Sequence, residues 1–160
     1  MIIMKFGGTS VEDAAAIRRV TAIVRRELPR APLVVVSACA GVTNALERIA
    51  ELSAERQIAA GIREAGQLRA RHVRTARELL GAKKAMKIER VLTGYADEIG
   101  TLVRGVGALG ELTPRSRDAF LSYGERMSSL LLIHAFRRSG IRATLVDAAE
   151  FMITDGHHTK

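Results

Sequence analysis

The run Lys5-Phe6-Gly7-Gly8-Thr9-Ser10 is the first place in the chain where residue types and spacing could do chemistry. A cation ends a short apolar stretch, and two glycines follow that permit backbone angles other residues resist. A helix beginning just beyond them would aim its N-terminal amides and partial positive charge at the same spot. Phosphate suits such a place. Amides and a helix end stabilise anionic oxygens, and Lys5 would neutralise charge developing on a phosphoryl group in transfer. The spacing is not that of a Walker A loop, which needs Gly-x-x-x-x-Gly-Lys-Ser/Thr. A Gly-Gly turn after a strand also serves plain chain geometry, so this motif alone leaves both readings open.

Other candidate chemistry is weaker. Gly105, Gly107 and Gly110 spell Gly-x-Gly-x-x-Gly, but a dinucleotide site needs a strand before them and a helix after them. These glycines instead close a helical pattern, where small residues permit tight packing. Of the four histidines, His157 and His158 lie at the polar end, His72 in a basic stretch and His134 in an apolar run. A core or surface role suits each better than catalysis. No Cys/His cluster has metal-ligand spacing. Cys39 has no histidine near it in sequence to act as a base, and reads as a small buried thiol.

The elements that must position Lys5 and its neighbours follow from periodicity. Residues 1–6 read as a strand, and Ser10 with Asp13 three residues on forms a capping-box pattern. Ile17, Val20, Val24 and Leu28 then recur at helical spacing until Pro29. Residues 33–37 are β-branched and apolar enough for a buried strand, 39–44 form a small-residue loop, and a second helix is expected near Asn44, with Glu47 three on. Two strand–loop–helix units in succession favour α/β architecture: a mostly parallel sheet with helices on both faces. From 46 to 112 the strand signal disappears, and Ile88, Val91, Tyr95, Ile99, Leu102, Val106 and Leu109 trace one face of a long helix. Thr113-Pro114 is an N-cap followed by a first-turn proline, starting a helix that runs toward Gly140. Residues 141–146 then resemble a third buried strand and 151–154 a short fourth, before the Asp155-Gly156 turn.

A length of 160 residues, 48% of them hydrophobic and 26% charged, fits one domain with a sizeable core and excludes a disordered or collagen-like chain. No apolar run approaches the ~20 residues of a membrane helix. With one cysteine and no secretory layout at the start, the expected setting is the cytoplasm, away from membranes. The net charge of +8 is concentrated between Arg56 and Arg90, where ten basic residues face three acidic ones. Single-stranded nucleic-acid binders add stacking aromatics to such a track, and only His72 could serve here, so nucleic acid is disfavoured and a solvated helical face preferred. The alternative reading is a non-catalytic module that binds an anionic partner through these basic helices.

Three separated motifs carry a resemblance to a known family. Lys5-Phe6-Gly7-Gly8-Thr9-Ser10-Val11 resembles the opening signature of aspartate kinases, in the amino-acid kinase superfamily. Val36-Ser37-Ala38-Cys39-Ala40-Gly41-Val42-Thr43-Asn44 resembles their second loop, usually Ser-Ala-x-x-Gly-x-Thr. Leu121-Ser122-Tyr123-Gly124-Glu125-Arg126-Met127-Ser128-Ser129 resembles their Ser-Phe/Tyr-Gly-Glu-Arg-x-Ser segment. Order and separations fit over essentially the whole chain.

The resemblance implies that residues 1–160 are the N-terminal, aspartate-binding part of an amino-acid kinase domain. Lys5 would contact the ATP phosphates and act in catalysis, with Gly7, Gly8 and Ser10 at the phosphate site. Ser37 and Thr43 would help hold L-aspartate, and Glu125 would meet its α-ammonium group. Taken singly, Ser37 could cap a strand end, Thr43 could bond local backbone, and Glu125 could pair with Arg126 on the surface. The implied reaction is MgATP plus L-aspartate giving 4-phospho-L-aspartate and ADP, the first step toward lysine, threonine and methionine. Magnesium would arrive with ATP, and a kinase for another amino acid is the nearest competing activity. Family members carry, further on, a Gly-Arg-Gly-Gly-Ser-Asp-type loop, a nucleoside pocket and ACT regulatory domains, none of which occurs in these 160 residues. The expectation is therefore that the 160 residues by themselves are inactive and either self-associate as a homo-oligomer or stay a marginally stable monomer.

Overall fold

The structure, a computed structural model, describes residues 1–148. Two strands, β1 (Ile2–Phe6) and β2 (Pro32–Val36), pair in parallel with Ile2 opposite Pro32 and Phe6 opposite Val36. Between them runs α1 (Ala14–Arg26), and after them α2 (Val42–Ala54), α3 (Ile58–Leu80), α4 (Ala82–Leu109) and α5 (Pro114–Arg138). The α/β class, the parallel pairing and the helical excursion are as expected.

Helix boundaries follow local caps, and several move from where spacing put them. At α1 the cap is Asp13, whose carboxylate accepts from the Ala16 amide at 2.7 Å. Ser10 belongs instead to a short 3-10 turn over Gly8–Val11. Leu28 falls outside α1, in a second 3-10 turn around Pro29, and is exposed. For α2 the start is Val42, two residues before Asn44, because Gly41 takes a left-handed backbone (φ +75°) that ends the loop there. Thr113 caps α5 as its sequence foretold, its hydroxyl accepting from the Ser116 amide at 3.1 Å.

Apolar spacing then decides what faces inward. In α1, Ile17, Val20 and Val24 are buried; in α4 the buried stripe is Ile88, Leu92, Ile99, Val103 and Val106. Val91 and Leu109 turn outward, so the α4 stripe is rotated from the expected one. Close helix approach does the rest: a Cβ on Gly61 would stand 3.1 Å from the Val103 side chain, and one on Gly107 would overlap Ile58 at 1.9 Å. In the Gly105-Gly107-Gly110 run, Gly107 thus serves helix packing, Gly110 closes α4 with φ +73°, and Gly105 faces open space.

The sheet packs one face. Met4, Phe6, Val34 and Val36 lean on the helical core, whereas Ile3, Leu33 and Val35 on the opposite face are 64%, 53% and 45% exposed. Among the described residues no helix covers that second face, which corrects the expected helices on both faces: all of them pack on one side. Residues 141–146 run without strand pairing, which corrects the expected third strand. Ile141 is buried, but Leu145 and Val146 are exposed. A β-branched segment becomes a strand only against a neighbour that accepts its ladder bonds, and the local sequence cannot supply one. The expected strand at 151–154, the Asp155-Gly156 turn and the two terminal histidines lie outside the described residues.

Candidate active site: two glycine-bearing loops read by one helix

The loops that follow β1 and β2 meet at the same end of the parallel pair, as the C-terminal ends of parallel strands must. Ser37 N–H donates to the Phe6 carbonyl at 3.2 Å, extending the ladder by one bond. Ala40 N–H then donates to the Gly8 carbonyl at 3.1 Å, joining loop to loop. Gly8 is required here by space. A Cβ on it would lie 2.9 Å from the Ala38 carbonyl oxygen and 3.2 Å from the Ala40 nitrogen, both rigid backbone atoms. Gly7 has an extended backbone (φ −79°, ψ 177°) open to any residue, so the unusual angles expected of this pair are not what the turn uses. The Lys5 ammonium lies 3.8 Å from the Cβ position of Gly7, placing the cation over the start of the turn. Ser10 sits within the turn, its amide donating to the Gly7 carbonyl at 3.0 Å.

Helix α5 approaches the second loop with three consecutive-face residues. Gly124 lets the helix close on it: a Cβ there would stand 2.7 Å from the Ala38 Cβ. Glu125 Oε1 accepts from the Ala38 amide at 3.2 Å. The buried Ser128 hydroxyl donates to the Ser37 carbonyl at 2.9 Å and lies 3.1 Å from the Glu125 carbonyl. Gly124 and Ser128 belong to the third motif, and the sequence alone assigns them no role. Their helical spacing around Glu125 was the available signal, since positions three and four apart share a face.

Glu125 and Arg126 do not form the surface pair that their adjacency allowed. Arg126 turns to α4, lying 4.5 Å from the Tyr95 ring centre and 4.9 Å from that of Tyr123, with Glu98 at 3.4 Å. Tyr123 donates its hydroxyl to Glu98 at 2.8 Å, and burial first, then Glu98, push its phenol up to about 12. That cluster ties α5 to α4 and leaves the exposed Glu125 carboxylate to the loop and to solvent. Thr43 stands exposed on the first turn of α2, beyond Gly41. Gly8, Ser37 and Glu125 thus meet around the second loop, and Lys5 stands over the Gly7 end of the first. The Thr43 hydroxyl makes no hydrogen bond to them among the described residues.

The basic stretch is partly spent inside the molecule. Arg77 pairs with Glu89 through two contacts at 2.7 and 2.8 Å, Arg69 donates to the Thr93 hydroxyl at 3.3 Å, and Arg71 donates to the Ala40 carbonyl at 2.9 Å. The C-terminal carbonyls of α3 draw two more cations: Arg18 bonds Glu78 and Arg138 bonds Leu80, where the helix dipole favours positive charge. His72 is buried at 1% exposure, so it cannot stack on a base. Cys39 is buried, and burial pushes its thiol up to about 11 against the opposing pull of Arg71. It is an inert thiol rather than a nucleophile.

The amino acid kinase family model matches residues 1–160, the whole of the sequence. The chain belongs to the amino acid kinase family. Among its relatives, lysine-sensitive aspartokinase 3 of Escherichia coli is 33% identical across 97% of the chain and 32% of its own length. Aspartokinase 2, chloroplastic, of Arabidopsis thaliana is 34% identical across 96% of the chain and 28% of its length. A crystal structure of E. coli aspartokinase III in complex with aspartate and ADP superposes with a TM-score of 0.71 at 30% identity, covering 90% of the chain and 30% of that protein. The same enzyme in complex with lysine and aspartate gives a TM-score of 0.73 at 26% identity, over 89% of the chain and 30% of that protein. The chain thus spans less than a third of the length of these relatives.

Proposed function

We propose that this chain is the aspartate-facing, N-terminal part of an aspartate kinase, which transfers the γ-phosphoryl group of MgATP to the side-chain carboxylate of L-aspartate. The observation that carries the reading is the convergence on Ala38: Gly8 from the first loop and Glu125 from α5 both meet it, bringing three separated motifs to one place. The similarity to aspartokinases over nearly the whole chain supports the choice of substrate.

Phosphoryl transfer asks the protein for positioning and charge stabilisation more than for covalent chemistry. The substrate carboxylate is itself the nucleophile. Lys5, over the glycine turn, neutralises charge on the transferring group, with Gly7, Gly8 and Ser10 lining the phosphate side. Ser37 and Thr43 line the acceptor side, and Glu125 holds the α-ammonium group by a charge-assisted bond. Magnesium enters on the nucleotide phosphates. The product, 4-phospho-L-aspartate, leads toward lysine, threonine and methionine, and we place the enzyme in the cytoplasm as a homo-oligomer. No helix among the described residues is long and apolar enough to cross a membrane.

The test is Glu125→Gln in the full-length protein. Gln keeps an oxygen for the Ala38 amide, so the loop stays in place while the charge goes. The aspartate KM should rise about tenfold or more with the ATP KM nearly constant, the size of a charge-assisted bond reduced to a neutral one. An unchanged aspartate KM overturns the assignment.

A further inference from the structure

The two loops of the candidate site are tied together twice. One tie is the Ala40–Gly8 backbone bond. The other comes from outside both loops. Arg71, in the second half of α3, is half-buried and reaches with Nη2 to the Ala40 carbonyl at 2.9 Å and the Glu12 carbonyl at 3.4 Å. Its Nη1 lies 3.9 Å from the Cβ position of Gly41. Glu12 ends the 3-10 turn that begins at Gly8, so one guanidinium spans the far end of the first loop and the middle of the second. Bonds from a charged donor are roughly twice as strong as neutral ones. The donor itself stands on a helix packed into the core: Gly61 and Ala65 are buried, and Arg138 of α5 bonds the carbonyl at the α3 end. The loops are therefore bonded to the helical layer as well as to each other.

We propose that Arg71 is a positioning residue, a latch from the helical layer that holds the 38–41 loop against the Gly8–Val11 turn and sets the spacing between the phosphate and acceptor sides of the site. Its significance for turnover rests on the function proposed above; the latch itself does not. This accounts for one member of the basic stretch that composition alone assigned to solvent or to an anionic partner.

Cys39 makes the latch measurable. It is the chain's single cysteine, it lies in the latched loop, and it is 4% exposed. The rate of alkylation by iodoacetamide at pH 8 is compared in the 160-residue chain and its Arg71→Met, Arg71→Lys and Arg77→Met variants. Removing the Arg71 cation, which favours the thiolate, would by itself slow the reaction. Opening of the loop would speed it. Arg71→Met should therefore accelerate labelling about tenfold or more, the weight of a lost charge-assisted bond. Arg71→Lys, which keeps a charged donor, should recover part of the protection. Arg77→Met, on α3 like Arg71, breaks an exposed ion pair to Glu89 of α4 and should leave the Cys39 rate within about twofold, since surface pairs contribute little. An unchanged or slower rate in Arg71→Met, or equal acceleration in Arg77→Met, overturns the latch. A separate turnover assay in the full-length protein reads the functional half: Arg71→Met should lower kcat while Arg71→Lys restores part of it. Faster labelling without loss of turnover would uphold the latch and count against the catalytic reading of the loops.

Discussion

Lys5 carries the heaviest load at the scale of single residues. Its ammonium stands over the glycine turn, exposed and free of any carboxylate partner among the described residues. A cation that acts chiefly in the transition state shows itself in kcat rather than in substrate affinity. Lys5→Ala in the full-length protein should lower turnover by roughly 10²-fold or more with the aspartate KM little changed. Near-normal turnover would refute the role. His72 makes a different prediction. Its Nδ1–H donates to the Leu68 carbonyl at 2.8 Å, and Nε2 is buried without a partner. Burial first, then nearby Arg71, hold its folded pKa below the ordinary value of 6.5. The unfolded chain then binds the proton that the folded chain refuses, so stability is full above that ordinary value and falls as pH drops toward the folded one. His134, also lowered by burial, adds to the same slope. Melting temperature should fall between pH 7.5 and 5, and His72→Leu should flatten that fall; a melting temperature independent of pH in this range would contradict the account.

At the scale of elements, the decisive contact is α5 on the second loop. Gly124→Ala would place a Cβ 2.7 Å from that of Ala38, between a helix and a loop already bonded through Glu125 and Ser128. Overpacking of this kind typically costs about 1–3 kcal/mol, and denaturant unfolding should show a loss of that order. An unchanged midpoint would mean that the loop yields freely. Elements whose ends are set by adjacent residues were legible in the sequence: Thr113-Pro114 opens α5 because cap and proline act within one turn. The α1 cap moved from Ser10 to Asp13 because a 3-10 turn took the preceding residues, a choice fixed by the loop contact at Gly8. The third strand was misread because its residues satisfy the pattern but pair with nothing among the described residues. The functional motifs could be located in sequence, whereas the reasons for Gly8, Gly124 and Ser128 lie in close approaches between segments far apart in the chain. Arg71 had no local signal at all: its partners are 31 and 59 residues away.

At the scale of the whole molecule, the open sheet face is the feature with most consequence. Ile3, Leu33 and Val35 stand side by side across β1 and β2, with Lys5 on the same alternation. Burying aliphatic side chains of this size stabilises by ~1.5–3 kcal/mol each when complete, and less here because they are already half covered. The 160-residue chain should therefore self-associate, its mass by light scattering rising with concentration. Leu33→Thr with Val35→Thr keeps strand preference while removing apolar area, and should shift the chain toward monomer. A wild-type chain that stays monomeric would remove this basis for oligomer formation. The same 160 residues should show no aspartate-dependent turnover alone, because near-attack geometry requires donor and acceptor held together and no nucleoside pocket is identified among the described residues.

The central claim, that the first glycine-bearing loop forms the phosphate side and the second loop with Glu125 the acceptor side of an aspartate kinase, is tested most directly by acceptor choice. Coupled ADP release would be measured for the full-length protein with MgATP and, in turn, L-aspartate, L-glutamate and N-acetyl-L-glutamate. Saturable release with L-aspartate at an ordinary kinase rate, roughly 1–100 s⁻¹, and little with the other two is the expected result. Preferred turnover of either longer or acetylated acceptor, or no aspartate-dependent release from the folded full-length protein, would contradict it.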